Sequence, residues 1–180
     1  MPDEKNPIDA LQRRRIVFLG SEITTDSANQ LIARVLDLDY EDPTAPITLY
    51  INSPGGDVYA MFAIYDTVRQ VSADIHTRCV GLAASAAAVI LAAGDDRAIL
   101  PHARVLIHQP SLPEGMRGQA SDIAIHAAEL GRVKDQIATL LAAHSHMDVD
   151  TIRSDTERDR WLDAVEAVRY GIVDRIHTAA

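Results

Sequence analysis

Apolar positions along the chain recur in two alternating rhythms. Short runs at 16–19, 47–51 and 75–80 have the length and β-branched content of buried strands, and each closes on a turn signal: Gly20, then Ser53-Pro54-Gly55-Gly56, then Gly81. Between them, 24–38 repeats Ala28, Leu31, Ile32, Val35, Leu36 and Leu38 near helical spacing, with Thr25 or Asp26 as candidate caps. Val58, Met61, Phe62, Tyr65 and Val68 make a second helical stripe, and 84–93 an Ala-rich third helix. Two further short strands are expected at 98–100 and 104–108. Strands whose connection crosses through a helix run parallel, so this alternation predicts an α/β domain with parallel strands.

The second half has a different rhythm. One helical pattern runs over 120–143, with Ile123, Ile125, Leu130, Val133, Ile137, Leu140 and Leu141 as its apolar members, longer than a domain of this size requires. Asp163 followed by Glu166 is a capping-box pattern with Asp in place of Ser or Thr, and the helix it opens should end near Tyr170-Gly171. Residues 1–12 are polar and expected to form a flexible segment, which leaves 13–180 as a single domain.

Composition narrows the possibilities. The chain is 47% hydrophobic but only 4% aromatic, so its core must be built from Ala, Val, Ile and Leu. A net charge of −9, with Arg13, Arg14 and Arg15 as the one basic cluster, argues against nucleic acid as a partner. The single cysteine, Cys79, excludes an intrachain disulfide, fits a reducing compartment, and sits in a strand pattern where it reads as core. No apolar stretch follows the first residues, and the longest apolar run, 83–93, is too short to span a bilayer. The expectation is a cytoplasmic protein without a membrane partner.

Three segments carry chemistry. Gly81-Leu82-Ala83-Ala84-Ser85-Ala86-Ala87-Ala88 sets one hydroxyl at a strand-to-helix junction among very small neighbours, where a substrate backbone can approach and a developing negative charge is favoured. Ser85 could equally be an ordinary helix cap. Paired Gly55 and Gly56 at a strand end can free backbone N–H groups for an oxyanion, or simply make a turn. His108 ends an apolar strand before Pro110, a setting that suits a general base. A serine and a histidine need a third group to orient the imidazole, and Asp155, Glu157 and Asp159 are all candidates on residue type alone. His144 and His146 near Asp148 and Asp150 match no metal-ligand spacing and read as a solvated helix end.

Together these segments resemble the proteolytic subunits of ATP-dependent Clp proteases (the ClpP family). The resemblance rests on LYINSPGG at 49–56, AIYDTV at 63–68, GLAASAAA at 81–88, LPHARVLIHQP at 100–110 and DTERDRWLDAVEAVRYGIVD at 155–174, and covers about 13–176. It implies Ser85 as nucleophile, His108 as base and Asp159 as orienting carboxylate, with the N–H groups of Gly56 and Ala86 as oxyanion hole. It also implies a crotonase-like fold with a protruding helical handle, the 120–143 helix, through which two seven-membered rings stack around a degradation chamber. Polypeptide substrates enter through a partner AAA+ unfoldase that uses ATP, so this chain is expected to need neither cofactor nor metal.

Three departures stand out. Ala86-Ala87 replace the usual Met-Gly, HQPSLPEGMRG replaces HQPLGG at the turn 111–116, and the stretch before Arg13 is short. The resemblance favours a serine endopeptidase over two alternatives: a weakly active or silent scaffold subunit of a ring mixed with a paralogue, and a crotonase-type acyl-CoA enzyme, which would use a similar glycine turn but generally a carboxylate base.

Overall fold

The structure, a computed structural model, describes residues 7–111 and 118–178. Its elements run α1 (Pro7–Gln12), β1 (Ile16–Leu19), α2 (Thr25–Glu41), β2 (Ile47–Ser53), α3 (Val58–Gln70), β3 (Ile75–Ala84), α4 (Ala86–Ala92), β4 (Asp96–Ile99) and β5 (Arg104–Ile107). Then come α5 (Ala120–Ala143), α6 (Val149–Asp155), β6 (Arg160–Leu162), α7 (Ala164–Tyr170) and β7 (Arg175–Ile176). The α/β alternation expected from the apolar pattern is present.

The sheet is built around β3. Its neighbours in order are β1-β2-β3-β4-β7, all parallel. The strand is shared: residues 76–79 pair with β4, while Leu82, Ala83 and Ala84 pair with β5. Gly81 stands at this fork and does not end the strand as its turn signal implied. A Cβ on it would lie 2.5 Å from Asn52 Oδ1, and the vacancy lets Asn52 accept from the Leu82 N–H at 3.1 Å where the register with β2 slips. Side-chain hydrogen bonding thus carries β3 past its irregularity.

The parallel pairing expected of the alternation holds for β1, β2, β3, β4, β5 and β7, while β6, a strand the apolar pattern did not predict, runs antiparallel to β5. Helices α5 and α6 lie between the two strands in the chain, but α6 brings it back to the C-terminal end of β5, where Gln109 N–H meets the Thr156 carbonyl, so β6 starts there and runs back along β5. One correction concerns the first residues. Pro7–Gln12, expected as part of a flexible segment, form α1, which packs on β1 with Ala10 and Leu11 half-buried. The cap of α2 is Thr24, one residue before the candidates, in a reciprocal box with Ser27.

Ile47, Leu49 and Ile51 of β2 point to one face and are fully buried, as period-two alternation requires. Every residue of the Ala-rich α4 is buried; its small side chains let it pack closely on β3 and α3, which is how a core with few aromatics fills its volume. Helix α5 divides in two. Val133, Ala138 and Leu141 are buried, whereas residues 119–128 are all exposed, including Ile123 (41%) and Ile125 (66%), so the N-terminal half projects from the body as a handle.

Helix α7 is capped as its sequence implied: Asp163 accepts from the Glu166 N–H, Glu166 accepts from the Asp163 N–H, both at 2.9 Å, and Gly171 closes the helix at φ +85°. Asp163→Ala removes one half of this box and is expected to lower stability by about 1 kcal/mol, read as a drop in the urea midpoint without a change in slope.

Candidate active site

The last residue of β3 is Ala84, paired with Leu106 of β5, and the next residue, Ser85, donates its N–H to the Leu106 carbonyl at 2.8 Å. Ser85 has φ +55° and ψ −122°, one of two non-glycine residues with positive φ among those described. A conformation of this kind costs about 1–3 kcal/mol and persists only where its surroundings enforce it. Although Ser85 occupies the N-cap position of α4, its side chain makes no cap hydrogen bond. The ordinary cap reading therefore fails, and the hydroxyl is left for the cavity that Ser85 lines.

The enforcing surface is the glycine turn after β2. A Cβ on Gly55 (φ +90°) would sit 2.6 Å from the Ala84 carbonyl oxygen, 2.8 Å from Ser85 Cβ and 3.0 Å from the Ala86 nitrogen. Gly55 is thus the residue that lets the turn lie directly against the serine elbow. Gly56 (φ +149°) makes a parallel bridge with Ile23 in which the donors are Ile23 N–H to Gly55 at 2.7 Å and Asp57 N–H to Ile23 at 2.8 Å. The Gly56 N–H takes no part in this bridge. Gly56 and Ala86 both line the same cavity as Ser85.

His108 follows directly on β5. The antiparallel register of β5 with β6 pairs Val105 with Leu162, Leu106 with Trp161 and Ile107 with Arg160. One step further along the same register sets His108 opposite Asp159. Their side chains meet at 3.5 Å, Nδ1 to Oδ1, with His108 about two-thirds buried and Asp159 64% exposed. Of the three carboxylates that residue type left open, the geometry brings Asp159 to the imidazole. Asp155 is engaged by Arg160 and Tyr170, and Glu157 by Lys134.

The loop carrying Asp159 is tied to the histidine's own segment. Gln109 N–H donates to the Thr156 carbonyl at 2.7 Å and Gln109 Nε2 to the Glu157 carbonyl at 3.0 Å. Lys134 of α5 bonds both the Gln109 side chain (2.8 Å) and Glu157 (3.0 Å), and holds the Glu157 carboxyl below its ordinary range. Neither Lys134 nor Gln109 was singled out from the sequence, because their partners are 23 to 48 residues away and share no local pattern.

Gly56, Ser85, Ala86 and His108 all open into one cavity of about 470 Å³ between the sheet edge and the buried half of α5. Its inner wall is apolar, from Val58, Val89, Leu130, Val133, Ile137 and Leu141. At its rim Tyr59 donates to Glu129 at 3.2 Å, and the hydrogen bond from Arg132 keeps the Glu129 carboxyl below its ordinary range. Such a site combines a strained, uncapped hydroxyl, an imidazole beside a carboxylate, two N–H groups and an apolar recess, the set needed for acyl transfer through a serine.

The remaining candidates lie elsewhere. Cys79 is fully buried and burial pushes its thiol up to about 11, as a core residue. His144 bonds the Tyr65 hydroxyl at 2.8 Å, and burial lowers its pKa below the ordinary imidazole value; His146 faces the Arg169 carbonyl. The altered turn expected at 111–116 lies, apart from Ser111, outside the described residues. Among the described residues no helix is long and apolar enough to cross a membrane.

The family model described as Clp protease matches residues 3–180. The ATP-dependent Clp protease proteolytic subunit 3 of Nocardia farcinica is 53% identical over 96% of this chain and 79% of its own. Subunit 1 of Mycolicibacterium paratuberculosis is 52% identical over 96% of this chain and 83% of its own. Subunit 2 of Mycobacterium tuberculosis is 51% identical, over 96% and 82%.

Because a methyl on Gly55 would meet backbone atoms of Ala84 and Ala86, it cannot be relieved by a side-chain rotation. Gly55→Ala is expected to lower the melting temperature by several degrees and to push the turn off the Ser85 elbow, reducing Ser85 reactivity toward a fluorophosphonate by about a hundredfold. Wild-type labelling in this variant would mean that the turn does not set the serine geometry.

Proposed function

The chain belongs to the Clp protease family, and we propose that Ser85, His108 and Asp159 are the nucleophile, general base and orienting carboxylate of a serine endopeptidase acting on unfolded polypeptides. The single observation that carries this reading is the β5–β6 register that sets Asp159 against His108, one strand away from an uncapped Ser85. Ser85 Oγ attacks the carbonyl carbon of the scissile peptide as its proton passes to His108 Nε2; Nδ1, on the other side of the ring, faces Asp159. The carbonyl oxygen becomes an oxyanion between the N–H groups of Gly56 and Ala86. Collapse of the tetrahedral intermediate breaks the C–N bond, and His108 gives its proton to the leaving amine. Water, deprotonated by His108, then hydrolyses the acyl-serine ester and frees Ser85.

The apolar wall from Val58 to Leu141 suits an apolar side chain next to the cut, and Ala86, which lines the same cavity, takes up little of it. This chemistry needs no metal or cofactor in the chain itself. ATP is consumed by a partner AAA+ Clp unfoldase that threads the substrate, a reading supported by the names of the relatives as subunits of ATP-dependent proteases. The protein works in the cytoplasm as two stacked seven-membered rings. Support for stacking comes from the projecting half of α5, which holds Ile123 and Ile125 in solvent in the single chain and would bury them between handles.

A fluorophosphonate probe tests the catalytic assignment. It is expected to label Ser85, with the labelling rate reduced about a hundredfold or more in His108→Ala. Labelling of a different serine, undiminished in Ser85→Ala, would contradict it. For assembly, fourteen copies of 19.6 kDa predict a native mass of about 270 kDa that falls to that of smaller species in Ile125→Asp, since a charge buried without a partner opposes the contact. A monomer fully active on a short peptide would contradict the stacked-ring reading.

A further inference from the structure

Asp159 is a weakly held residue. Its side chain is 64% exposed and its contact with His108 is long, so nothing about the pair itself keeps the carboxylate aimed at the imidazole. Its position must come from the loop 156–159. The α6 side of that loop is fastened to Gln109 through Thr156 and Glu157. At its base, the two residues that flank it meet each other: Arg160, the first residue of β6, reaches Asp155, the last residue of α6, at 2.7 Å.

Both of these residues converge on Tyr170. This side chain ends α7, is 4% exposed, and donates its hydroxyl to the second carboxylate oxygen of Asp155 at 2.8 Å. The Arg160 guanidinium lies 5.3 Å above the same ring. Burial, reinforced by the Asp155 carboxylate, pushes the Tyr170 hydroxyl well above the ordinary phenol range, so it stays a donor. Tyr170 is anchored in turn by the Asp163–Glu166 box that starts α7 and the Gly171 turn that ends it.

We infer that Tyr170, Asp155 and Arg160 form a clamp that positions Asp159 on His108. The inference rests on the catalytic reading above. The lever is short: Arg160 pairs with Ile107 in the β5–β6 ladder, so the backbone on either side of the His108–Asp159 contact is fixed, by the strand pair on one side and by the clamp on the other. Loosening the clamp frees the segment Arg158-Asp159 while leaving the cavity walls and the Ser85 elbow untouched. Tyr170, Asp155 and Arg160 line no part of the cavity, so they are positioning residues and touch no substrate.

The test uses the full-length assembled protein with a short fluorogenic peptide and a fluorophosphonate. Tyr170→Phe keeps the ring and removes only the hydroxyl; it is expected to lower kcat about ten- to a hundredfold with KM unchanged. Arg160→Gln, at a partly exposed side chain, opens the other arm without touching the core and should act in the same direction. The deciding measurement is a double-mutant cycle on the rate of Ser85 labelling: in an Asp159→Asn background, Tyr170→Phe should slow labelling by less than about twofold, because the residue it positions is already lost. A merely structural tyrosine would slow labelling by the same factor in both backgrounds, and that result overturns the inference, as does an unchanged kcat in Tyr170→Phe. Undiminished hydrolysis in Asp159→Asn alone would overturn the catalytic reading as well, so the two failures are distinguishable.

Discussion

The structure depends on three adjacent strands held in fixed register. β3 forks at Gly81, its second half pairs with β5, and β5 pairs with β6. Ser85, His108 and Asp159 each lie one residue beyond the paired ends of these strands, so ladder hydrogen bonds fix the origin of all three side chains. A one-residue slip would reverse every side chain of a strand from one face to the other. Burial of Ala83, Val105, Ile107 and Leu162 on the core face makes such a slip expensive, so the packing that stabilises the sheet also fixes the geometry of the proposed triad.

Backbone strain and glycine geometry act at a second level. The positive φ of Ser85 opposes folding, and it is held in place by the N–H bond to Leu106 and by the turn at Gly55 and Gly56 resting on its neighbours. The turn is itself pinned by Ile23, just before the first crossover helix, α2. A residue 62 positions upstream of Ser85 therefore takes part in shaping the serine's surroundings without touching a substrate. Helix α5 supplies the apolar wall with its buried half and leaves its other half exposed, so the one helix lines the cavity and also carries the exposed Ile123 and Ile125 on which the proposed ring stacking rests.

Much of this was legible in the residues. Strand cores at 16–19 and 47–51, the stripes of α2 and α3, the full span of α5 and the Asp163 box all follow from local pattern, because local pattern is what determines them. Segments decided by distant contacts were not legible. Arg160-Trp161-Leu162 is three residues long with an exposed tryptophan, and only the free edge of β5 makes it a strand. The choice of Asp159 over Asp155 and Glu157 depends on that same pairing, so residue type alone left it open and only the resemblance to a family pointed to it. Whether Ser85 caps α4 or keeps its hydroxyl free is a matter of one backbone angle, which no spacing reports.

The most direct measurement of this account is a crystal structure of the protein after reaction with a fluorophosphonate. The adduct should sit on Ser85 Oγ, with one phosphonyl oxygen within hydrogen-bond distance of the Gly56 and Ala86 N–H groups and His108 held between Ser85 and Asp159. An adduct whose oxygens meet neither N–H, or a His108 ring turned away from Asp159, would contradict it.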